Sequence, residues 1–212
     1  MEKIFYFIRK PIAITLVLVV ICGLIYPLVL MGVSKVVFPE QANGSLVRIN
    51  DSVVGSKLIG QSFSGEGFLH SRPSAVNYNT YTVQEKKDYK YNGVASGSSN
   101  YAMTNPDLTK RTNKDIKTFL RENPTIKKNE IPTDLVTSSG SGLDPHISPQ
   151  AAAIQIPSVS KKTGISEKKL KKIVRDSTEE KFIGIFGERT VNVLEVNVDI
   201  VKAKKLGKFG SK

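Results

Sequence analysis

The sequence predicts an α+β protein, a single N-terminal transmembrane helix followed by one extracytoplasmic domain of mixed helices and strands. Three observations lead there. Pro11 to Ser34 is a run of 24 residues without Asp, Glu, Lys, Arg or His, longer than the roughly 20 a helix needs to cross the hydrocarbon core. Beyond it, apolar residues recur at helical spacing in some segments and alternate in others. The 178 residues after Ser34 suit one domain with a single core.

The span is bracketed by Arg9, Lys10 and Lys35, whereas an apolar core helix is usually shorter. Pro27 lies inside it and is expected to kink the helix. Tyr26 beside it hints at a neighbouring protein surface. Lys3, Arg9 and Lys10 precede the span against Glu2, and only Lys35 follows before Glu40. This basic bias puts residues 1–10 in the cytoplasm, 11–34 in the plasma membrane as a single pass, and the rest outside. A cleaved signal peptide is the rival, but no small-x-small site follows Leu30-Met31-Gly32-Val33-Ser34-Lys35.

Of 31 basic and 19 acidic residues, 3 and 1 precede the span, leaving 28 and 18, a net +10 outside. Such a domain suits anionic headgroups or an acidic partner; nucleic acid is in the wrong compartment. The lone cysteine, Cys22, is within the span, so the outer domain has no disulfide and depends on packing or docking.

Asn43-Gly44 signals a turn, and Leu46–Ile49 with Val53–Ile59 reads as a hairpin. Gly55 to Ser62 matches the phosphate-binding pattern G-x-x-x-x-G-K-[ST] except that Gln61 replaces the lysine that reaches the phosphates. It reads instead as a strand edge with glycines. Gly65 to Tyr101 is a long Gly, Ser, Asn and Tyr stretch, and loops of that length are usually functional or partner-bound. Its tyrosines, Tyr78, Tyr81, Tyr89, Tyr91 and Tyr101, suit an interface or the edge of a small core. His70 is one of only two histidines, which argues against a multi-histidine metal site.

Thr104-Asn105-Pro106-Asp107 opens a helix from Asp107 to about Glu122, with Leu108, Ile116, Phe119 and Leu120 on one face. Lys110, Arg111, Lys114, Lys117 and Arg121 lie opposite, as a solvated face. Pro132 to Val136 reads as a short extended segment. Ser148-Pro149 starts a helix to Ile156 that Pro157 is expected to break or kink. Ser166 caps another to about Thr178, with Leu170, Ile173 and Val174 inward. Leu194 to Ile200 alternates as a half-buried strand does. Residues 35–200 thus form the outer domain, and the basic tail, 201–212, is expected to be disordered.

Ser139-Gly140-Ser141-Gly142-Leu143-Asp144-Pro145-His146-Ile147-Ser148-Pro149 is the most distinctive stretch. A glycine-rich turn entering a helix can hold an anion, or be a tight connection with Asp144 capping nearby amides. Ser141, Asp144 and His146 do not make a hydrolase triad, because there is no G-x-S-x-G and triad members converge from distant segments.

With this stretch, further motifs fall in order. They are Asn43-Gly44-Ser45-Leu46, Gly55-Ser56 with Leu58-Ile59-Gly60-Gln61, Arg72-Pro73-Ser74-Ala75 and Ser96-Gly97 with Ser99-Asn100. Thr104-Asn105-Pro106, Asp134-Leu135-Val136-Thr137 and Val191-Asn192-Val193-Leu194-Glu195-Val196-Asn197 complete them. Over almost its whole length the chain resembles KdpC, the C subunit of the Kdp potassium-transporting P-type ATPase. Ser98 and Ser138 stand where that family usually has glycine and alanine.

The resemblance implies a non-catalytic accessory subunit of a high-affinity ATP-driven potassium uptake complex. Its partners would be a KdpA-type channel-like subunit, a KdpB-type ATP-hydrolysing subunit, a KdpF-type small subunit and membrane lipid. Docking would fall to Arg72, Pro73, Ser74, Asn100, Asn105, Asp144 and His146. The family alternative is a catalytic chaperone that raises the ATP affinity of the ATP-hydrolysing subunit. No cofactor is expected to bind tightly; under that alternative ATP would meet Ser139, Gly140, Ser141, Gly142 and Gln150. An outer domain cannot touch cytoplasmic ATP, so any such effect would pass through the membrane subunits as coupling.

Overall fold

The computed structural model describes residues 2–88 and 93–204, in two compact units, Met1–Leu46 and Val47–Lys212. The N-terminal unit is a near-continuous helix: α1 Glu2–Val20, a π-helical turn Ile21–Ile25 and α2 Tyr26–Val37. It is longer than the expected span and begins earlier, taking Pro11 inside α1. The π turn answers the problem set by Pro27. Proline offers no N–H and its ring crowds the carbonyl four residues back; a wider turn just before it, with Tyr26 N bonding to Ile21 O, absorbs that mismatch without ending the helix. The 31 residues Phe7–Val37 are long and apolar enough to cross a membrane, about 46 Å at 1.5 Å per residue. Apart from Ser34, every one of them is exposed. A short helix, α3 Pro39–Ala42, follows.

The second unit starts with the expected hairpin, β1 Leu46–Ile49 and β2 Ser52–Ser56. The phosphate-loop look-alike is the end of that hairpin and its exit, with Gln61 Nε2 donating to Val54 O at 2.8 Å. Among the described residues the long polar stretch contains a short α-helix, α4 Val83–Lys87, capped by Thr82 and Glu85 in a reciprocal box. Tyr89 and Tyr91 lie outside the described residues. Next comes α5, Pro106–Glu122, which Asn105 caps by accepting from Asp107 N at 2.8 Å. Phe119 is buried on its apolar face. Arg111 departs from the expected solvated face: it is half-buried and pairs with Asp115 at 2.8 Å.

Pro132 to Val136 is not extended. Thr133–Leu135 is a 3₁₀ turn that sinks Leu135 into the core and points Asp134 at Ser148, whose N–H it accepts at 2.7 Å. A two-residue strand, β3 His146–Ile147, leads into α6, Pro149–Thr163, with Ser148 as its cap. Pro157 neither breaks nor ends α6. It lies with Ala153 on the exposed face, so the carbonyl it frees faces water, while buried Gln155, Ile156 and Val159 hold the other face. α7, Glu167–Asp176, carries Leu170 and Val174 inward and its five basic residues outward.

Strands β4 Thr178–Glu179 and β5 Thr190–Asn192 complete an antiparallel sheet of order β3-β5-β4, pairing Ile147 and Thr178 with Val191. The chain ends in α8, Val193–Lys204. This corrects the expected strand over Leu194–Ile200, and takes 201–204 into the helix; residues 205–212 lie outside the described residues. Alternation misled because α8 is buried nearly all round, at Val193, Leu194, Val196, Asn197, Val198, Ile200 and Val201. Its partly exposed stripe runs Glu195, Asp199, Lys202, the spacing of a helix. The core gathers Ile147 of β3, Ile156 of α6, Leu170 of α7, Val191 of β5 and Val196 and Ile200 of α8, with Leu69 and Phe119.

Candidate functional site

Two loops, 68–79 and 139–148, are built against each other, and the core fixes both. The first is held by amide side chains rather than by a ladder. Asn197 of α8 is wholly buried; its Oδ1 accepts from Leu69 N at 2.8 Å and its Nδ2 donates to Leu69 O at 2.9 Å. Gln155 of α6 does the same for the next residue, accepting from His70 N at 2.8 Å and donating to His70 O at 3.3 Å. Asn192 anchors the preceding segment through Lys57 O at 2.8 Å, while its own Oδ1 caps α8 at Glu195 N. Such buried backbone groups would otherwise go unsatisfied. Sequence reasoning passed over Gln155 and used Asn192 and Asn197 only as identity marks.

Beyond the clamp, Arg72 Nη1 meets Asp144 Oδ2 at 3.1 Å. Ser74 Oγ donates to Gly142 O at 2.6 Å and accepts from Tyr78 N at 3.0 Å. The Tyr78 hydroxyl donates to Arg72 O at 2.7 Å. Burial, eased by Ser71 and Arg72 and reinforced by Asp144, pushes its pKa up to about 12, so it stays a donor. These bonds hold an unusual turn: Asn77, Tyr78 and Asn79 have φ of +49°, +50° and +54°. Consecutive left-handed residues other than glycine are costly and persist only where their surroundings over-determine them. Asn79 adds a two-way bond to Ala95, at 3.0 and 2.9 Å.

The second loop fits the first at van der Waals limits. A Cβ on Gly142, at φ +67°, would stand 2.7 Å from Gly97 O and 2.8 Å from Val76 Cγ2. One on Gly60 would stand 2.5 Å from Asp144 O and 2.6 Å from the Tyr78 ring. Gly60 N donates to Leu143 O at 2.8 Å and Gly97 N to Ser141 O at 2.7 Å. Inside the loop, Ser139 is buried and accepts from Gly142 N at 2.8 Å. Gly142 and Gly60 therefore serve close packing within the chain, as the tight-connection reading has it, whereas Gly140 is exposed with open space about it.

Asp144 accepts from His146 N at 2.9 Å, and its Oδ1 is 3.6 Å from His146 Nδ1. Burial opposes its ionisation, but His146 and Arg72 outweigh burial and hold its pKa below the usual value. Asp144, chiefly, raises the His146 pKa against burial, with Glu179 and Glu195 adding to it. His146 Nε2 is buried without a hydrogen-bond partner among the described residues. His70 behaves oppositely. Burial lowers its pKa although Glu122 lies 3.7 Å away.

The structure thus brings together Arg72, Ser74, Ser139, Gly142, Asp144 and His146. Pro73 is half-buried between Arg72 and Ser74, and Gly140, Ser141 and Gln150 are exposed beside them in sequence. Asn100 is exposed with φ +48°, and Asn105 is spent on capping α5. No group of three or more His, Cys, Asp or Glu able to hold a metal ion occurs among the described residues.

A family model described as KdpC, K+-transporting ATPase, c chain, matches residues 8–202. The chain is 58% identical over 212 residues to the potassium-transporting ATPase KdpC subunit of Clostridium kluyveri, covering 100% of both. It is 54% identical to that of Clostridioides difficile, over 92% of this chain and 96% of the relative, and 44% identical to that of Bacillus cereus, over 92% and 94%.

Proposed function

This chain belongs to the KdpC family, the c chains of K+-transporting ATPases, and we propose that it is a non-catalytic accessory subunit. In this reading the N-terminal helix crosses the membrane with its N-terminus inside and packs against the channel-like, ATP-hydrolysing and small subunits. The second unit lies outside, covers the potassium entrance and stabilises the assembly. Loops 68–79 and 139–148 are the docking surface. The observation that carries this is the strained Asn77–Asn79 turn, locked onto the second loop through Ser74 and Gly142. A fold that retains such strain at its surface holds a shape for recognition.

The catalytic-chaperone reading keeps one observation in its favour: Gly140, Ser141 and Gln150 are exposed. Gly142 N is not available to a phosphate, because Ser139 already accepts its hydrogen. The two readings divide on topology. With Cys22 replaced, Ser141→Cys in intact cells should react with a membrane-impermeant thiol reagent. Protection until the membrane is permeabilised would put the loop on the ATP side and favour the chaperone.

A further inference from the structure

The positive charge of the second unit is concentrated. Residues 161–176 hold seven basic and two acidic residues, half of the net +10 that follows the span. Most of it stands on α7. Lys168, Lys169, Lys171, Lys172 and Arg175 are all exposed, while buried Leu170 and Val174 fix which way the helix faces. Its two carboxylates sit at the helix ends: Glu167 lies 3.5 Å from Lys171, and Asp176 lies 2.7 Å from Lys172 and 3.6 Å from Arg175. Lys168 and Lys169 have no ion-pair partner among the described residues.

Carboxylates near α7 in the chain are engaged elsewhere. Glu180 pairs with Arg189 at 2.7 Å, and Glu179 acts on His146. Glu66 is held by Lys162, in the last turn of α6, at 2.7 Å. The other basic helix differs: α5 sets three acidic residues among its five basic ones and binds Arg111 to Asp115. α7 is thus a face with surplus charge, beyond what its own ion pairs neutralise.

A second copy would bring the same charge to this face and be repelled. An acidic protein partner fits poorly by residue type. Protein interfaces favour arginine and aromatic residues over lysine, and the outward face of α7 has four lysines, one arginine and no aromatic residue. Lysine is a hydrated point charge on a flexible stem, without the rigid fork that reads a shaped site. It suits a continuous negative surface, and a basic amphipathic helix of this kind fits a membrane surface. With the N-terminal helix in a bilayer, such a surface is always at hand, and tethering makes the contact effectively intramolecular. We propose that the basic face of α7 docks on the anionic phospholipid headgroups of the membrane in which the chain is anchored. This rests on the membrane reading of the N-terminal helix, and it chooses between the two partners that the net charge allows.

The test uses the full chain, one copy per lipid nanodisc, so that no second copy is present and both membrane faces are offered. With Cys22→Ser, a bimane dye on Glu167→Cys reports contact through quenching by a nitroxide-headgroup lipid. Discs of phosphatidylcholine alone are compared with discs containing about 30% phosphatidylglycerol, where each basic residue at the surface is worth about fivefold in the contact equilibrium. Quenching should rise severalfold with the anionic lipid. It should fall back in about 0.5 M salt, which shortens the reach of charge to about 4 Å. Lys168→Gln with Lys169→Gln should cut the ratio of docked to free by about tenfold or more, with the melting temperature unchanged because glutamine and lysine have similar helix propensity. Equal quenching in neutral and anionic discs overturns the proposal, as does wild-type quenching when Lys171→Gln and Lys172→Gln are added. In the assembled ATPase, carbodiimide coupling of α7 lysines to another subunit, without lipid-dependent quenching, gives the face to an acidic protein and also overturns it. These failures leave the membrane reading standing; a chain that does not enter the discs overturns both.

Discussion

Asn197 shows how much one buried amide can decide. It satisfies both backbone groups of Leu69, and no water can replace it at zero exposure. Asn197→Ala should destabilise the domain by about 2–4 kcal/mol, read by denaturant unfolding, and loosen loop 68–79 before the rest, read by hydrogen exchange. The two histidines should give opposite pH responses. His146 has its pKa raised by Asp144, so its contribution is complete below 6.5 and is lost as pH rises through the raised value. His70 has its pKa lowered by burial, so stability falls as pH drops below 6.5 and levels off below the lowered value. His146→Gln should remove the alkaline decline and His70→Gln the acidic one in unfolding free energies measured across that range. The role of His70 depends on burial by distant segments and was not readable beforehand, whereas the chief cause at His146, Asp144, lies only two residues away in the sequence.

At the scale of elements, the helices with caps and one apolar face were legible. Ser148 and Ser166 cap where expected; of the expected apolar faces α5 buries Phe119 and α7 buries Leu170 and Val174, with Leu108, Ile116, Leu120 and Ile173 half-buried. The failures share a cause. Over Leu194–Ile200 the polar positions of the sequence, Asn197 included, were taken for a solvent face. Asn197 is buried in a helix instead, and the real exposed stripe has helical spacing. The expectation that Pro157 breaks or kinks α6 gives way to a helix that runs through it to Thr163, the freed carbonyl facing water. For the glycine-rich loop the sequence left an anion-holding turn and a tight connection equally open, and its partner segments were not legible. Gly142→Ala must collide with Gly97 and Val76 at a positive φ, and should cost more than about 2 kcal/mol. Protease cleavage between residues 68 and 100 should rise with it; an unchanged melting temperature and cleavage pattern would show the loops to be independently held.

For the whole molecule, removing the N-terminal helix is the direct test of assembly. A chain starting after Lys35 keeps the second unit, with its own core. It should fold, yet no longer co-purify with the other ATPase subunits; normal co-purification would refute a role for the span in holding the complex. The sequence by itself determined the N-terminal apolar helix, the α+β class and the family, because uninterrupted hydrophobicity, capping chemistry and ordered motifs are local properties. Only the tertiary structure decided that α8 is a helix and that amides from α6 and α8 clamp Leu69 and His70. Each of these depends on which residues burial and hydrogen bonding bring together across the chain, as in the 128-residue separation of Leu69 and Asn197, and local pattern carries no record of such pairings.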